Sequence, residues 1–307
     1  MTKPPRHLGF AFSLIDVFAD EPLTGNPLAV VADAEGLDEA TMGRIAREFN
    51  QSETTFLLPP TRREAFVRLR CFTPTGVEVF GAGHNALGAW WWLADGGKLG
   101  DVANGVTLQQ EIGDRILPVE IVANGGQLAA ISMTQAAPEF LAIHQDQEAL
   151  ATALGVKAED VGIDGLQPQV VSTGAAHLLV PARRRSVVEG ARPEAELLAA
   201  QLRAVAAQGC YLFSLDPFDR RATAHARFFN PTVGIWEDPA TGSAAGPLAA
   251  QLVAHGMAKD GDEVIVEQGY AVGRPSRIHV RVQGSNIQVR GRGVVVAEGT
   301  LRLEPKP

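Results

Sequence analysis

FTPTGVEVFGAGHNALGAWWWL, residues 72 to 93, decides the fold. It opens on Phe-x-Pro-Thr, passes through a Gly-rich turn and enters an apolar segment of helical length. The same order returns at residues 229 to 252, FNPTVGIWEDPATGSAAGPLAAQL, about half the chain further on. A repeat of that size reads as two similar domains facing each other. Each apolar segment is apolar nearly all round: Ala86, Leu87, Ala89, Trp90, Trp91 and Leu93 in the first, Ala244, Ala245, Leu248, Ala249, Leu252 and Val253 in the second. A helix with no polar face belongs in the middle of a domain. Asp95-Gly96-Gly97 and His255-Gly256 supply the stops.

Around both helices lie short strand-like runs with Gly and Asn turns, such as ILPVEIVANGGQLAAISM and RIHVRVQGSNIQVRGRGVVVAEGTLRL. The combination predicts an α+β fold, with a sheet curled around one central helix in each half. We expect domains at 1–128 and 129–296, with a strand at about 297–307 returning to the first. Near the start, the apolar runs 12 to 18 and 28 to 31 flank a Pro/Gly/Asn turn and read as strands. LDEATMGRIAREFN reads as an amphipathic helix with Asp38 as N-cap and Met42, Ile45, Ala46 and Phe49 on one face. TTFLL, ending at Pro59-Pro60, reads as a short buried strand.

Composition bounds the function. Of the 307 residues 46% are hydrophobic and 20% charged, which suits a globular chain with real cores. The net charge is -8, and the only basic cluster is Arg183, Arg184 and Arg185, so nucleic acid is a poor partner. The N-terminal apolar stretch is short, broken by Asp16 and without a cleavage site, so no secretory signal is expected. No run approaches the ~18 residues that span a bilayer. A cytoplasmic protein without membrane contact follows. The two cysteines, Cys71 and Cys210, lack metal or redox spacing and read as buried thiols. His7, His144, His177, His225, His255 and His279 show no metal-ligand spacing and read as surface or core residues, so no metal is expected. Trp90, Trp91 and Trp92 read as core filling.

The chemistry gathers at junctions. Glu53 follows the Asp38 helix and precedes an apolar strand, at the mouth of a core. From position alone it is as well read as a strand-end carboxylate paired with an arginine. Taken alone, His84 reads first as a first-turn helix residue bonded to a backbone carbonyl, and Asp238, before Pro239, as an acid that shapes a turn or caps a helix. Gly83-His84-Asn85 and Thr241-Gly242-Ser243 open the two central helices and offer backbone N–H groups and a positive dipole end to a carboxylate or a developing oxyanion.

Together, GNPLAVV, IAREFNQSETTFLL, FTPTGVE with GAGHNALG, STGAAHLLV, EDPATGSAAGPLA and GRPS, in order along almost the whole chain, resemble the PhzF-like isomerases of phenazine biosynthesis, relatives of the diaminopimelate epimerase fold. The resemblance implies two domains, each a barrel-like sheet around a central helix, an active site in the cleft, no cofactor and a homodimer. It implies Glu53 as the catalytic acid/base, with His84 and Asp238 beside it. Ser52, Gly83, Gly242 and Ser243 correspond to its supporting residues and are expected to bind substrate, as is Asn85 from its place in the helix start. The expected reaction moves a proton between carbons of a small cyclic carboxylate like trans-2,3-dihydro-3-hydroxyanthranilate, and Glu53 would need a raised pKa to give the proton back. Related epimerases place a cysteine at each helix start; neither Cys71 nor Cys210 lies there. The family's usual Pro-Phe becomes Phe80-Gly81 here, and Asn85 replaces a proline. A different small carboxylated substrate, or a binding protein without turnover, are the alternatives.

Overall fold

The computed structural model describes residues 8–163, 165–233 and 235–303. His7 and the last four residues of the expected strand at 297–307 lie outside them. The chain divides into two compact units: residues 1–23, 27–131 and 292–307 form the first, and 24–26 with 132–291 form the second. The architecture is α+β, with a curled sheet and few helices.

In the first unit, α1 (Glu39–Phe49) is capped by the Asp38 carboxylate, which accepts the Thr41 N–H, and ends at Asn50 in the left-handed region. Met42, Ile45 and Ala46 are buried, as their spacing predicts. The strand Asn26–Val31 runs parallel to Glu53–Leu58, which pairs antiparallel with Val67–Phe72. Val67–Phe72 runs parallel to Val106–Ile112, which pairs antiparallel with Arg115–Asn124. On the other side, Leu8–Val17 pairs with Asn26–Val31 and with Gly293–Leu303. The expected strands at 12 to 18 and 28 to 31 are thus longer at their starts, because backbone pairing extends past the apolar residues.

The helix α2 (His84–Asp95) packs on Leu8–Val17, Glu53–Leu58 and Gly293–Leu303, so the sheet bends round it. Gly88 permits this closeness: a Cβ there would stand 2.6 Å from the Leu28 side chain and 2.7 Å from that of Val17. Trp90 is fully buried and donates its Nε1–H to Gln110, and Trp92 donates to Ser13. The tryptophans fill the core and satisfy their polar ends.

The second unit repeats the order. Ala176–Pro181 runs parallel to Gly209–Ser214, which pairs antiparallel with Ala224–Asn230; that strand runs parallel to Glu263–Gln268, which pairs antiparallel with Ser276–Gln283. Its outer helices are α3 (Gln147–Leu154), α4 (Arg185–Gly190) and α5 (Ala195–Ala204), whose apolar faces close one cluster with the sheet. The central helix α6 (Gly242–Ala254), buried on nearly every side, packs on Ala176–Pro181, Ser276–Gln283 and Asn286–Gly291.

Candidate active site

Glu53 begins its strand after the two-residue bend Gln51-Ser52 that follows the left-handed Asn50. It is partly buried, whereas the next residues, Thr54 and Thr55, are fully buried. Thr55 donates its hydroxyl to the backbone oxygen of Asn85 in the first turn of α2, at 3.2 Å. Residues two apart on a strand share a face. Glu53 therefore looks toward the side of the strand where α2 begins.

That turn is built by Asn85, which is 1% exposed. Its Oδ1 accepts the N–H of Gly83 at 2.7 Å and of Ala86 at 2.8 Å, and its Nδ2 donates to the Gly81 carbonyl. Asn85 shapes the turn, and the Gly83 N–H is already given to it. His84 follows with its ring sunk inward: Nε2 is buried and has no hydrogen-bond partner among the described residues. Burial pushes its pKa down to about 4, so the ring is neutral near pH 7. Cys71, opposite Thr55, is buried; burial, with the charge of Glu53 adding to it, pushes the thiol up to about 12. Cys210 is buried and raised further, so neither thiol is poised as a base.

In the second unit, Asp238 ends the short strand Ile235–Asp238. Asn26 donates to its Oδ1 at 2.8 Å and Thr241 to its Oδ2 at 2.5 Å. Burial nevertheless dominates these bonds and pushes its pKa up to about 6. Gln268 braces the same turn. Its Nε2 donates to the Asp238 carbonyl and to Thr241 Oγ1, while its Oε1 accepts Tyr211 O–H and Thr241 N–H. Gly242 and Ser243 follow as the first residues of α6, and the Gly242 carbonyl accepts Gln135 Nε2 at 2.9 Å. Ser243 Oγ lies 3.2 Å from Nε2 of the buried His177.

Asn26, Thr241, Gln268, Gln135 and His177 were not singled out for these roles by the sequence. Asn26, Thr241 and His177 lie inside the quoted motifs, in GNPLAVV, EDPATGSAAGPLA and STGAAHLLV, whereas Gln268 and Gln135 carried no signal and act through partners far away in the chain.

A profile of the family described as "Phenazine biosynthesis-like protein" (PhzC-PhzF) matches residues 15–299. A trans-2,3-dihydro-3-hydroxyanthranilate isomerase of Pseudomonas chlororaphis is 34% identical over 298 residues, covering 95% of this chain and 99% of that one. The crystal structure of a Bacillus anthracis phenazine biosynthesis protein of the PhzF family superposes with a TM-score of 0.86 at 30% identity, over 96% of this chain and 99% of the other. A hydroxyproline epimerase from Agrobacterium vitis, 12% identical with a TM-score of 0.66 over 97% and 93% of the two chains, shares the fold alone. The fold and the relatives define an isomerase of the epimerase-like class. This chain belongs to the PhzC-PhzF, phenazine biosynthesis-like family.

Proposed function

We propose that this isomerase moves a proton between two carbons of one small cyclic carboxylate of the trans-2,3-dihydro-3-hydroxyanthranilate type, with Glu53 as general acid/base and no cofactor. As carboxylate, Glu53 takes a proton from carbon. The electron pair of that C–H bond forms a new double bond to the adjacent carbon, the existing double-bond pair is displaced along the conjugated system to the far carbon, and that carbon forms its new C–H bond with the proton of the Glu53 carboxyl. The product enol then becomes the ketone.

The observation that carries this reading is the Thr55-to-Asn85 bond, which sets Glu53 on the strand face where neutral His84 opens α2. A neutral imidazole shares protons without adding a fixed charge. Asp238, with Gly242 and Ser243, is proposed to bind polar groups of the substrate, and Ser52 to support Glu53. Asn85 and Gly83 act by shaping the turn under His84. The names of the relatives favour the substrate class.

A different small carboxylate is favoured by one feature: Phe80, where the family's pattern differs, is a half-exposed aromatic residue just before this turn. We also propose a cytoplasmic homodimer; among the described residues no helix is long and apolar enough to cross a membrane, and light scattering measures the assembly. NMR in deuterated buffer tests the reaction. Deuterium should enter the dihydroanthranilate with the wild type and not with Glu53→Gln. Exchange into another acid only would select the second substrate reading, and tight binding without exchange to any acid would make the protein a binder.

A further inference from the structure

His177 is a buried polar residue with no part yet in the proposed reaction. It is the second residue of the strand Ala176–Pro181 and 3% exposed. Its Nε2 meets Ser243 Oγ at 3.2 Å, its ring stands edge-on to Phe228, and its Nδ1 is buried without a hydrogen-bond partner among the described residues. The register gives its counterpart in the first unit. Leu28 lies opposite Glu53 and His177 opposite Gly209, in the equivalent parallel pair of each unit. A leucine is enough to build that place, so packing alone does not call for an imidazole.

The tautomer follows from Nδ1. A buried N–H without an acceptor is rarer and costlier than a lone pair without a donor. Burial also keeps the ring neutral, with a pKa of about 4, so it carries one proton. That proton therefore sits on Nε2 and is donated to Ser243 Oγ. With its oxygen engaged, the Ser243 hydroxyl directs its own hydrogen away from the histidine. The backbone N–H groups of Gly242 and Ser243, the first two of α6, have no acceptor among the described residues. Three donors then stand in the first turn of α6, beside an Asp238 carboxylate whose oxygens are already taken up by Thr241 and Asn26.

We propose that His177 is a positioning residue that holds Ser243 as a hydrogen-bond donor, committing the start of α6 to the carboxylate of the substrate. This deepens the isomerase reading and rests on it for the substrate.

The first test is nitrogen-15 NMR of histidine-labelled wild-type protein at pH 7, with Ser243→Ala to assign the signal. The neutral Nε2–H form is expected at His177; the Nδ1–H form overturns the proposal, and this arm needs no change at the histidine. The second is calorimetric titration with benzoate. His177→Leu should weaken binding about tenfold. His177→Gln, which brings an amide N–H near the place of Nε2, should restore most of it. Ser243→Ala should weaken it likewise, and His177→Leu should add nothing in that background. Full affinity in His177→Leu, additive losses, or no benzoate binding by the wild type each overturn the assignment. Benzoate binding as expected without deuterium exchange into any acid would leave it standing and remove the isomerase reading.

Discussion

Glu111 and Glu267 hold the same place in the two units. Glu111 accepts the backbone N–H groups of Thr61 at 2.7 Å and Arg62 at 3.3 Å; Glu267 accepts those of Phe218 and Asp219, both at 2.8 Å. Each carboxylate thereby ties down the loop that joins the strand after the outer helices to its antiparallel neighbour. Burial opposes their ionisation; the Thr61 hydroxyl at Glu111 and the His225 side chain at Glu267, together with these backbone N–H groups, outweigh it and hold both below the ordinary value of 4.5. Replacing either by Gln leaves N–H groups facing a weaker, half-converted acceptor, and should cost about 2 kcal/mol. A group whose folded pKa is depressed contributes above its unfolded pKa and loses that contribution as pH falls through the folded value. The gap between wild type and Glu267→Gln in urea unfolding should therefore be full at pH 7 and shrink below about pH 4.5. Equal stability at pH 7 would rule out this anchoring role.

Much of this arrangement was legible in the sequence. The repeated Phe-x-Pro-Thr followed by an all-apolar helix gave both central helices, and Asp38 gave the start of α1. These are local signals, because a helix announces itself by periodicity and caps. Glu111 and Glu267 carried no such mark. Each is an acid in an apolar strand whose partners lie some fifty residues away, and nothing in QQEI or IVEQ points to them. His177 sits in STGAAHLLV and was read only as a surface or core residue, and only the approach of Ser243 gives its ring a partner. The turn at Asn85 was read by its residue types, but which N–H groups it uses up depends on side-chain direction.

Glu53→Gln keeps the shape and hydrogen-bonding capacity of the side chain and removes its ability to take a proton. Positioned acid/base catalysis contributes about 10²–10⁴-fold, so kcat should fall by that range while ligand affinity changes less than about threefold. Glu53→Asp should fall between the two, since the carboxylate is retained but withdrawn by one methylene. Steady-state kinetics with calorimetric binding separates these effects. Retained kcat in Glu53→Gln would move the acid/base role to another residue.

Asp238 supplies a pH signature of opposite sign to that of Glu267. Its folded pKa, about 6, lies above the ordinary 3.8. Between these values the folded protein holds a proton that the unfolded chain has released, so its contribution to stability falls as pH rises through this window. The histidines 84 and 177, pushed down to about 4, act the other way and lose stability as pH drops below 6.5. Comparing Asp238→Asn with wild type cancels the histidines. The variant should gain on the wild type by on the order of 2 kcal/mol between pH 4 and pH 7, on top of any pH-independent offset. A pH-independent difference in thermal or urea unfolding would mean that Asp238 titrates normally.

The two units share a topology, yet only one carries an acid at the start of the strand after its outer helices. By register the counterpart of Glu53 is Gly209, since Thr54 pairs with Phe72 and Cys210 with Phe229, the first residues of the two repeats. The reason is steric: a Cβ at position 209 would overlap the ring of Phe228. That ring also packs edge-on against His177 and contacts Tyr211. The second unit has thus filled with an aromatic core the space that the first leaves to a carboxylate, which fits chemistry with one acid/base that removes and returns the same proton. Gly209→Ala should force Phe228 aside and destabilise the protein by about 1–3 kcal/mol. Gly209→Ala/Phe228→Leu should recover part of that loss, because the smaller side chain vacates the overlap. Chemical denaturation of the two variants decides it: Gly209→Ala as stable as wild type would mean that something other than the Phe228 ring keeps an acid from this position.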